Sequence, residues 1–346
     1  MPSARAPASS GIIRSGRAAG PVRRCRHRCL RRPSGSGRTV AVARNRHRSP
    51  ASRRTARDRA RRTLSQNFLA DPGAVARVVR AARPGPGDLL VEVGAGKGVL
   101  TEALAPLCRE LISYEIDRHL IAGLRERLAP YPAVRVVHRD FLTAHPPREP
   151  FALVGNVPYA RTSDIVEWAL RAPRLTSATL MTQLEYARKR TGDFGRWSLL
   201  TVRTWPEVEW RLCGRVARTA FRPVPAVDGG IMRLIRRPRP LLPDAEQRAS
   251  YAGLVELGFS GVGGSLHASL RRVCPARRLT AAFRRAGLER EVVVGHVTPP
   301  QWLVLAQDLT GVAGVAEAAT GAGRGGTAAS KESKVRAKSR VDSSSL

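Results

Sequence analysis

The sequence predicts an α/β protein that combines a doubly wound parallel sheet with a smaller helical domain. Two observations lead to this fold class. Short apolar runs alternate with helical stretches at the spacing of βαβ units through residues 89–156. Past Pro238-Arg239-Pro240 the apolar residues follow a helical period instead, as far as Leu309. We therefore expect an α/β domain at residues 63–238 and a helical domain at residues 241–312.

The first predicted strand leads directly into a glycine-rich turn. Residues 89–93 form the strand, Gly94-Ala95-Gly96-Lys97-Gly98 follows at once, and residues 99–107 have a helical pattern. A strand, a glycine turn and a helix in this order let the backbone approach a nucleotide closely. The turn is therefore a candidate nucleotide-binding element.

The next two predicted strands end in acids. The strand at residues 111–115 ends in Glu115, about 20 residues after the first glycine, where an acid can bind two ribose hydroxyls. A helix at residues 118–128 leads to a strand at residues 134–140 that ends in Asp140. We interpret Asp140 as an acceptor for an adenine amine, with a helix N-cap as the alternative.

A fourth strand, at residues 151–155, leads into Asn156-Val157-Pro158-Tyr159. This turn suits the task of making an aromatic amine nucleophilic. The Asn156 side-chain oxygen and the Val157 carbonyl can accept hydrogen bonds from the two N–H groups of the amine. Pro158 has no N–H to compete and stiffens the turn, and Tyr159 offers a flat face for stacking on the base. The alternative is a proline turn that only ends a strand.

The glycine turn and the acid on the second strand fit either a dinucleotide or S-adenosylmethionine. The glycines follow G-x-G-x-G and not the G-x-G-x-x-G of the dinucleotide fingerprint. Glu92 lies two residues before Gly94, an arrangement common for recognition of the methionine amine in methyltransferases. The Asn156 turn has a role in amine methylation and none in hydride transfer, so we favour S-adenosylmethionine. A nicotinamide oxidoreductase and a non-catalytic RNA-binding protein remain alternatives.

The charge of the chain indicates a polyanionic partner. Among 346 residues, 60 are Lys or Arg and 27 are Asp or Glu, a net charge of +33. No run of 18 or more apolar residues exists, so we expect no membrane span. We therefore expect the polyanionic partner to be RNA. The helical domain carries arginines that we expect to contact RNA phosphates, at positions 271, 272, 277, 278, 284 and 285. A solvated basic face is the alternative.

Part of this charge lies in two tails. Residues 1–62 are rich in Arg, Ser, Pro and Gly, with Asp58 as the sole acid, and have no hydrophobic periodicity. We expect a disordered basic arm, a transit peptide or upstream sequence from a misplaced start, and the sequence leaves the choice open. Residues 313–346 are rich in Gly, Ala and Ser and predict a flexible tail.

The cysteines indicate a reducing compartment. They are scattered, at positions 25, 29, 108, 213 and 274, and no secretory signal is visible. Cys25 and Cys29 look like half of a metal site, but no second Cys/His pair lies near them, so we expect no metal. We expect a cytoplasmic monomer.

The motifs in their order resemble those of the rRNA adenine N6-methyltransferases. That family includes the erythromycin-resistance (Erm) enzymes and the dimethyladenosine transferases of the small ribosomal subunit. The resemblance covers residues 63–309 and rests on the segments Ser65-Gln66-Asn67-Phe68-Leu69, 92–98, Glu115, Asp140, 156–159 and 221–227. It implies a Rossmann-like methyltransferase domain that uses S-adenosylmethionine, followed by a helical RNA-binding domain.

The resemblance also implies a role for each cofactor-binding residue. Asn67 and Leu69 would close over the cofactor, and Gly94 would line its methionine part. Glu115 would hold its ribose and Asp140 its adenine amine.

For the target base, the resemblance implies that Asn156 contacts both the cofactor and the target amine. Tyr159 and Phe221 would sandwich the flipped adenine between their rings. The alternative for Phe221 is an ordinary core aromatic.

Within the family, the Erm branch fits better. The small-subunit enzymes usually have Leu where Val157 stands and Asn where Ala160 stands. Residues 183–190 and 195–199 look like those of resistance methyltransferases of actinomycetes. This branch implies methylation of an adenine in 23S rRNA and resistance to macrolides, lincosamides and streptogramin B. The alternative is a 16S-type dimethyladenosine transferase.

Overall fold

The computed structural model of the chain describes residues 67–261 and 264–310. The predicted basic arm at residues 1–62, the predicted tail at 313–346, and Ser65-Gln66 lie outside the described residues. Cys25 and Cys29 lie outside them as well.

A seven-stranded sheet forms the centre of the fold, in the order β4-β3-β2-β5-β6-β9-β7. The strands are β2 (Leu89–Val93), β3 (Glu110–Glu115), β4 (Val134–His138), β5 (Phe151–Asn156), β6 (Leu175–Gln183), β7 (Val208–Val216) and β9 (Gly229–Arg236). β2 to β6 are parallel to one another, whereas β9 is antiparallel to both β6 and β7. The α/β prediction is confirmed, with an antiparallel edge added to the parallel sheet.

Helices cover both faces of the sheet because the strands alternate their apolar side chains. α1 (Pro72–Ala82) and α2 (Val99–Leu104) pack on the face that carries Leu90 and Ile231. α4 (Thr162–Arg171) and α5 (Leu184–Thr191) pack on the opposite face, with Val91 and Met232. α3 (Arg118–Leu128) packs beside β3 and β4, and α6 (Leu199–Thr204) precedes β7.

A small two-stranded sheet joins the start of the described chain to a distant loop. β1 (Phe68–Leu69) pairs antiparallel with β8 (Phe221–Arg222), so that Leu69 lies opposite Phe221. The amides of Ala70 and Asp71 donate to the Ala220 carbonyl over 2.9 and 3.2 Å. This pairing holds the segment before α1 against the open end of the central sheet.

Four helices follow the sheet: α7 (Ala245–Phe259), α8 (Leu266–Leu270), α9 (Ala276–Arg285) and α10 (Pro299–Leu309). They enclose a separate apolar core that includes Tyr251, Phe283 and Trp302. Val202 of α6 belongs to the same core and so ties this segment to the α/β part. Within the described ranges, no helix is both long enough and apolar enough to cross a lipid bilayer.

Candidate active site

A cavity lies at the carboxyl ends of β2, β3 and β5, where open α/β sheets bind their ligands. The structure brings most of the predicted site residues together there. The cavity is lined by Asn67, Gly94, Glu115, Asp140 and the four residues 156–159, among others.

The glycine turn forms the floor of this cavity. The amides of Gly94 and Ala95 both donate to the Tyr114 carbonyl, over 2.9 and 3.0 Å, which ties the turn to the end of β3. Gly96 has φ +58°, and a Cβ added there would lie 2.9 Å from a ring carbon of Phe68. The turn therefore needs glycine at this position both for its backbone and for its close approach to the Phe68 ring.

The Glu115 carboxylate is buried at the end of β3, with 2% of its surface exposed. Its Oε2 accepts from the Gly96 amide and its Oε1 from the Asp117 amide, both over 2.7 Å. Burial raises the pKa of Glu115, and the backbone N–H groups oppose that shift. Each oxygen keeps a second lone pair, so the carboxylate can still accept from the hydroxyls of a ligand.

Asp140 serves as an N-cap and also faces the cavity. Its Oδ1 accepts from the Leu142 amide over 2.9 Å and so caps a single 3₁₀ turn at Phe141–Thr143. The other carboxylate oxygen has no hydrogen-bond partner among the described residues. The capping and ligand-binding interpretations of Asp140 are therefore compatible.

The orientation of the Asn156 amide is fixed by its neighbour. Its Nδ2 donates to the backbone carbonyl of Asn67 over 2.7 Å. A carbonyl can only accept, so the NH₂ group must face Asn67 and the Oδ1 remains available as an acceptor. The Val157 amide donates to the Met181 carbonyl over 3.1 Å, and the Val157 carbonyl accepts no hydrogen bond from the described residues. Two acceptors thus border the cavity side by side.

Tyr159 lines the cavity, and its hydroxyl is buried without a hydrogen-bond partner among the described residues. Burial raises the pKa of Tyr159 to about 12, and the charge of Asp228 adds to this effect. The phenol therefore stays neutral near pH 7. It can contribute an aromatic surface, but it is a poor candidate for a general base.

Residues 57–310 match the family model described as ribosomal RNA adenine dimethylase. The chain belongs to this family. An rRNA adenine N-6-methyltransferase of Streptomyces fradiae is 64% identical over 253 residues, covering 72% of this chain and 79% of the relative. An rRNA methyltransferase of Streptomyces thermotolerans is 53% identical over 290 residues, covering 83% and 97%. The crystal structure of the 23S rRNA methyltransferase ErmE aligns with a TM-score of 0.69 and 51% identity, covering 70% of this chain and 99% of that one.

These similarities confirm the resemblance to the rRNA adenine N6-methyltransferases and, within them, to the Erm branch. They favour a methyltransferase over both the nicotinamide oxidoreductase and the non-catalytic RNA-binding protein. The site of this family member also has the chemistry that S-adenosylmethionine requires. Glu115 can accept from a diol and Asp140 from an amine, while the exposed aliphatic side chain of Ile116 lies in the same cavity. The side-chain-free turn at Gly94 leaves space beside them.

Two of the predicted site residues do not line the cavity. Leu69 is 6% exposed and Phe221 is fully buried, and both belong to the core beneath α1. The Phe221 ring packs closely against Gly229 of β9, near Met181 of β6. A Cβ added at Gly229 would lie only 3.0 Å from the ring and 2.9 Å from the Met181 sulfur. The core-aromatic interpretation of Phe221 therefore describes the structure as it stands, and its stacking role stays a prediction.

The structure also does not bring Glu92 to the cavity. Its side chain is 1% exposed, and the hydroxyls of Thr101 and Ser113 both donate to its Oε2 over 2.6 Å. Phe68 and Ile116, by contrast, line the cavity and were missed by the sequence analysis. The position of Ile116 directly after Glu115 was the signal that could have identified it, because residues just after a strand lie at the open edge of the sheet.

Proposed function

We propose that this chain methylates N6 of one adenine in 23S rRNA with S-adenosylmethionine, and so confers resistance to macrolides, lincosamides and streptogramin B. The observation that carries this proposal is the Asn156 amide, which the Asn67 carbonyl orients so that its Oδ1 remains free beside the Val157 carbonyl. Similarity to a relative named as an rRNA adenine N-6-methyltransferase and to the 23S rRNA methyltransferase ErmE supports the choice of substrate.

The cofactor residues are those that face the cavity. We assign the ribose to Glu115, the adenine amine to Asp140 and the methionine part to Gly94. Asn67 would close over the cofactor, and Asn156 would contact both the cofactor and the target amine. Leu69 supports this arrangement from the core through its pairing with Phe221. When bound, S-adenosylmethionine supplies an electrophilic methyl group on a sulfonium.

Positioning and hydrogen bonding account for the chemistry on the protein side. The lone pair of an adenine amine is delocalised into the ring, which makes the amine a poor nucleophile. Hydrogen bonds from its two N–H groups to the Asn156 Oδ1 and the Val157 carbonyl would favour a tetrahedral nitrogen, whose lone pair is available. Pro158 keeps the turn rigid and adds no competing donor. No general base is required, because the nitrogen becomes positively charged and acidic after transfer.

The target base must leave its stack to reach this site. Tyr159 provides an aromatic face inside the cavity, which suits a flipped adenine from a loop or another unpaired region of RNA. Phe221 could form the second face only after its ring leaves the core. Mutation of Phe221 therefore tests stability and base stacking together, whereas mutation of Tyr159 tests stacking more directly.

We further propose that the helical segment at residues 241–312 contacts RNA phosphates. Of the six arginines expected to contact phosphates, five are exposed and make no ion pair with the described residues, at positions 271, 272, 277, 278 and 284. Arg285 differs, because it pairs with Asp308 over 2.9 Å. Free guanidinium groups on one segment suit a phosphate backbone, to which arginine can donate two parallel hydrogen bonds. We expect the enzyme to act as a cytoplasmic monomer.

The proposal predicts a single new methylation in the RNA of a sensitive host that expresses this chain. Primer extension should stop at one adenine in a loop of 23S rRNA, and macrolide resistance should rise. The Asn156→Ala variant should lower the methylation rate by about 100-fold or more, since it removes one oriented acceptor. The exposed Glu126→Ala variant on α3, outside both the cavity and the helical segment, serves as the control.

Two outcomes would contradict this assignment. A stop near the 3′ end of small-subunit rRNA, with none in 23S rRNA, would identify a 16S-type dimethyladenosine transferase. Full activity of the Asn156→Ala variant would remove the amine-activating role. Mass spectrometry of the digested RNA also tells monomethylated from dimethylated adenine.

A further inference from the structure

Two arginines face each other across the outer strands of the sheet. In the antiparallel pair of β7 and β9, Arg211 lies directly opposite Arg233. Side chains of directly opposed residues are neighbours on one face, and like charges in this position destabilise the pair. Arg233 lies two residues after Ile231, which is buried beneath α1, so both arginines are on the α1 face of the sheet.

A third arginine lies at the end of α1, the helix that packs against β6 and β9. Arg83 is the C-cap residue of this helix and has φ +54° and ψ +54°. It is the one residue other than glycine with a positive φ among those the structure describes. Glycine is the usual residue in this conformation, and strained backbone positions concentrate at functional sites.

The positive charge of this cluster is only partly neutralised. Among the described residues, the carboxylate that contacts the cluster is Glu209. It accepts a hydrogen bond from the Nε of Arg211 over 2.5 Å. Neither Arg83 nor Arg233 makes an ion pair with the described residues, and the Nε of Arg233 is buried without a partner there. Burial lowers the pKa of Arg233, and the charges of Arg83 and Arg211 lower it further. The cluster thus carries more positive than negative charge.

The cluster is accessible to a large ligand. β7 is the edge strand of the sheet, and Arg83 and Arg211 are exposed. The pairing of β7 with β9 shifts register between Leu212 and Gly214, and the displaced residue, Cys213, is exposed. Bulges of this kind terminate regular pairing at sheet edges and redirect side chains.

We propose that Arg83, Arg211 and Arg233 form a binding site for a phosphate group of the rRNA backbone, outside the cavity that takes the target adenine. This inference rests on the proposed function. A phosphate oxyanion would relieve the repulsion between the opposed guanidinium groups and could accept from the unpartnered Nε of Arg233. Free inorganic phosphate shares this chemistry, but an exposed sheet edge on a strongly basic protein suits a phosphodiester in a long polyanion.

The test uses Arg83→Gln and Arg233→Gln in the full chain, with Arg125→Gln as the matched control. Arg125 is exposed on α3, at the other end of the sheet, and makes no ion pair with the described residues. Binding to a 23S rRNA fragment is measured at several salt concentrations, together with methylation kinetics. Each cluster variant should raise Kd and the KM for RNA roughly tenfold, reduce the salt slope by about one, and leave kcat unchanged.

A further variant separates binding from a structural role. Arg83→Gly removes the charge and also the backbone strain, so it should raise the melting temperature while it weakens RNA binding. An arginine with only a structural role would not produce opposite changes in stability and affinity.

The proposal is overturned if the cluster variants bind RNA with the wild-type Kd and salt slope. It is also overturned if inorganic phosphate raises the melting temperature of the wild type but the variants keep full RNA affinity, since the site would then hold a free anion. If the wild-type chain methylates no rRNA, the proposed function itself fails, which is a separate result.

Discussion

At the scale of single residues, a carboxylic acid lies in the middle of β2 with almost no access to solvent. Glu92 accepts hydrogen bonds from the hydroxyls of Thr101 and Ser113. Burial raises its pKa from 4.5 to about 7, against the opposite effect of those two hydrogen bonds. The residue therefore helps to join β2, β3 and α2, and it stays largely protonated in mildly acidic solution.

The raised pKa of Glu92 predicts a stability that depends on pH. The folded state holds this proton more tightly than the unfolded state, so its contribution is complete below pH 4.5 and is lost as the pH rises through about 7. The difference corresponds to about 3 kcal/mol of unfolding free energy. Glu92→Gln cannot ionise, so its unfolding free energy should fall less between pH 5 and pH 8, measured by urea denaturation.

The exposed Glu126→Gln variant on α3 is the control for this measurement, because it changes the same functional group in solvent. A Glu92→Gln variant with the same pH dependence as the wild type would contradict the argument. At this scale the structure brings Asn67, Gly94, Glu115, Asp140 and residues 156–159 to one cavity, whereas Leu69 and Phe221 lie in the core. The sequence could not place Glu92, since a strand residue two positions before the turn can face either side of the sheet.

At the scale of elements, apolar runs predicted the four strands β2 to β5, because strands buried in a parallel sheet are largely apolar. The predicted helix at residues 118–128 is α3, with the same bounds. The strands β6, β7 and β9 were not predicted. Arg211 and Arg233 interrupt the apolar pattern of β7 and β9, and the pairing of these two strands depends on a contact between distant parts of the chain.

Pro299-Pro300 shows that proline can mark either the end or the start of a helix. Proline within a helical pattern usually breaks a helix, whereas in the structure these two prolines begin α10. Thr298 and Gln301 form a capping box there, in which the Thr298 amide donates to the Gln301 Oε1 over 2.9 Å. Proline is favoured in a first helical turn, because its missing N–H would have no partner within the helix.

The capping box predicts the effect of a single substitution. Thr298→Ala removes the side-chain acceptor at the start of α10 and should lower the unfolding free energy by about 1 kcal/mol in urea denaturation. Thr298→Ser keeps a hydroxyl at this position and should recover most of the loss. Equal stability of the alanine variant and the wild type would mean that the prolines alone define this helix start.

At the scale of the whole molecule, the helical segment is joined to the α/β part through α6. Val202 of α6 lies in the core of the helical segment, and its carbonyl accepts from the buried Tyr251 hydroxyl over 2.9 Å. A second tie is the ion pair between Glu207 and Arg248 of α7, at 3.0 Å. Because both parts share α6, we expect them to unfold together.

Shared unfolding is tested with Tyr251→Phe. The variant loses one buried hydrogen bond and should be less stable by about 1 kcal/mol. Circular dichroism and tryptophan fluorescence should report the same urea transition in the wild type and the variant, since Trp302 lies in one core and Trp168 in the other. Two separate transitions would contradict this coupling.

The sequence by itself determined the fold class, the alternation of β2 to β5 with helices, and the family that the chain resembles. Strand period, glycine turns and strand-end acids are local properties of the chain, and the parallel strands bring Gly94, Glu115, Asp140 and Asn156 to one edge. Only the tertiary structure decided which side chains reach the cavity. The burial of Phe221, the orientation of the Asn156 amide and the pairing of Arg211 with Arg233 depend on contacts between segments far apart in the chain. No local pattern specifies such contacts.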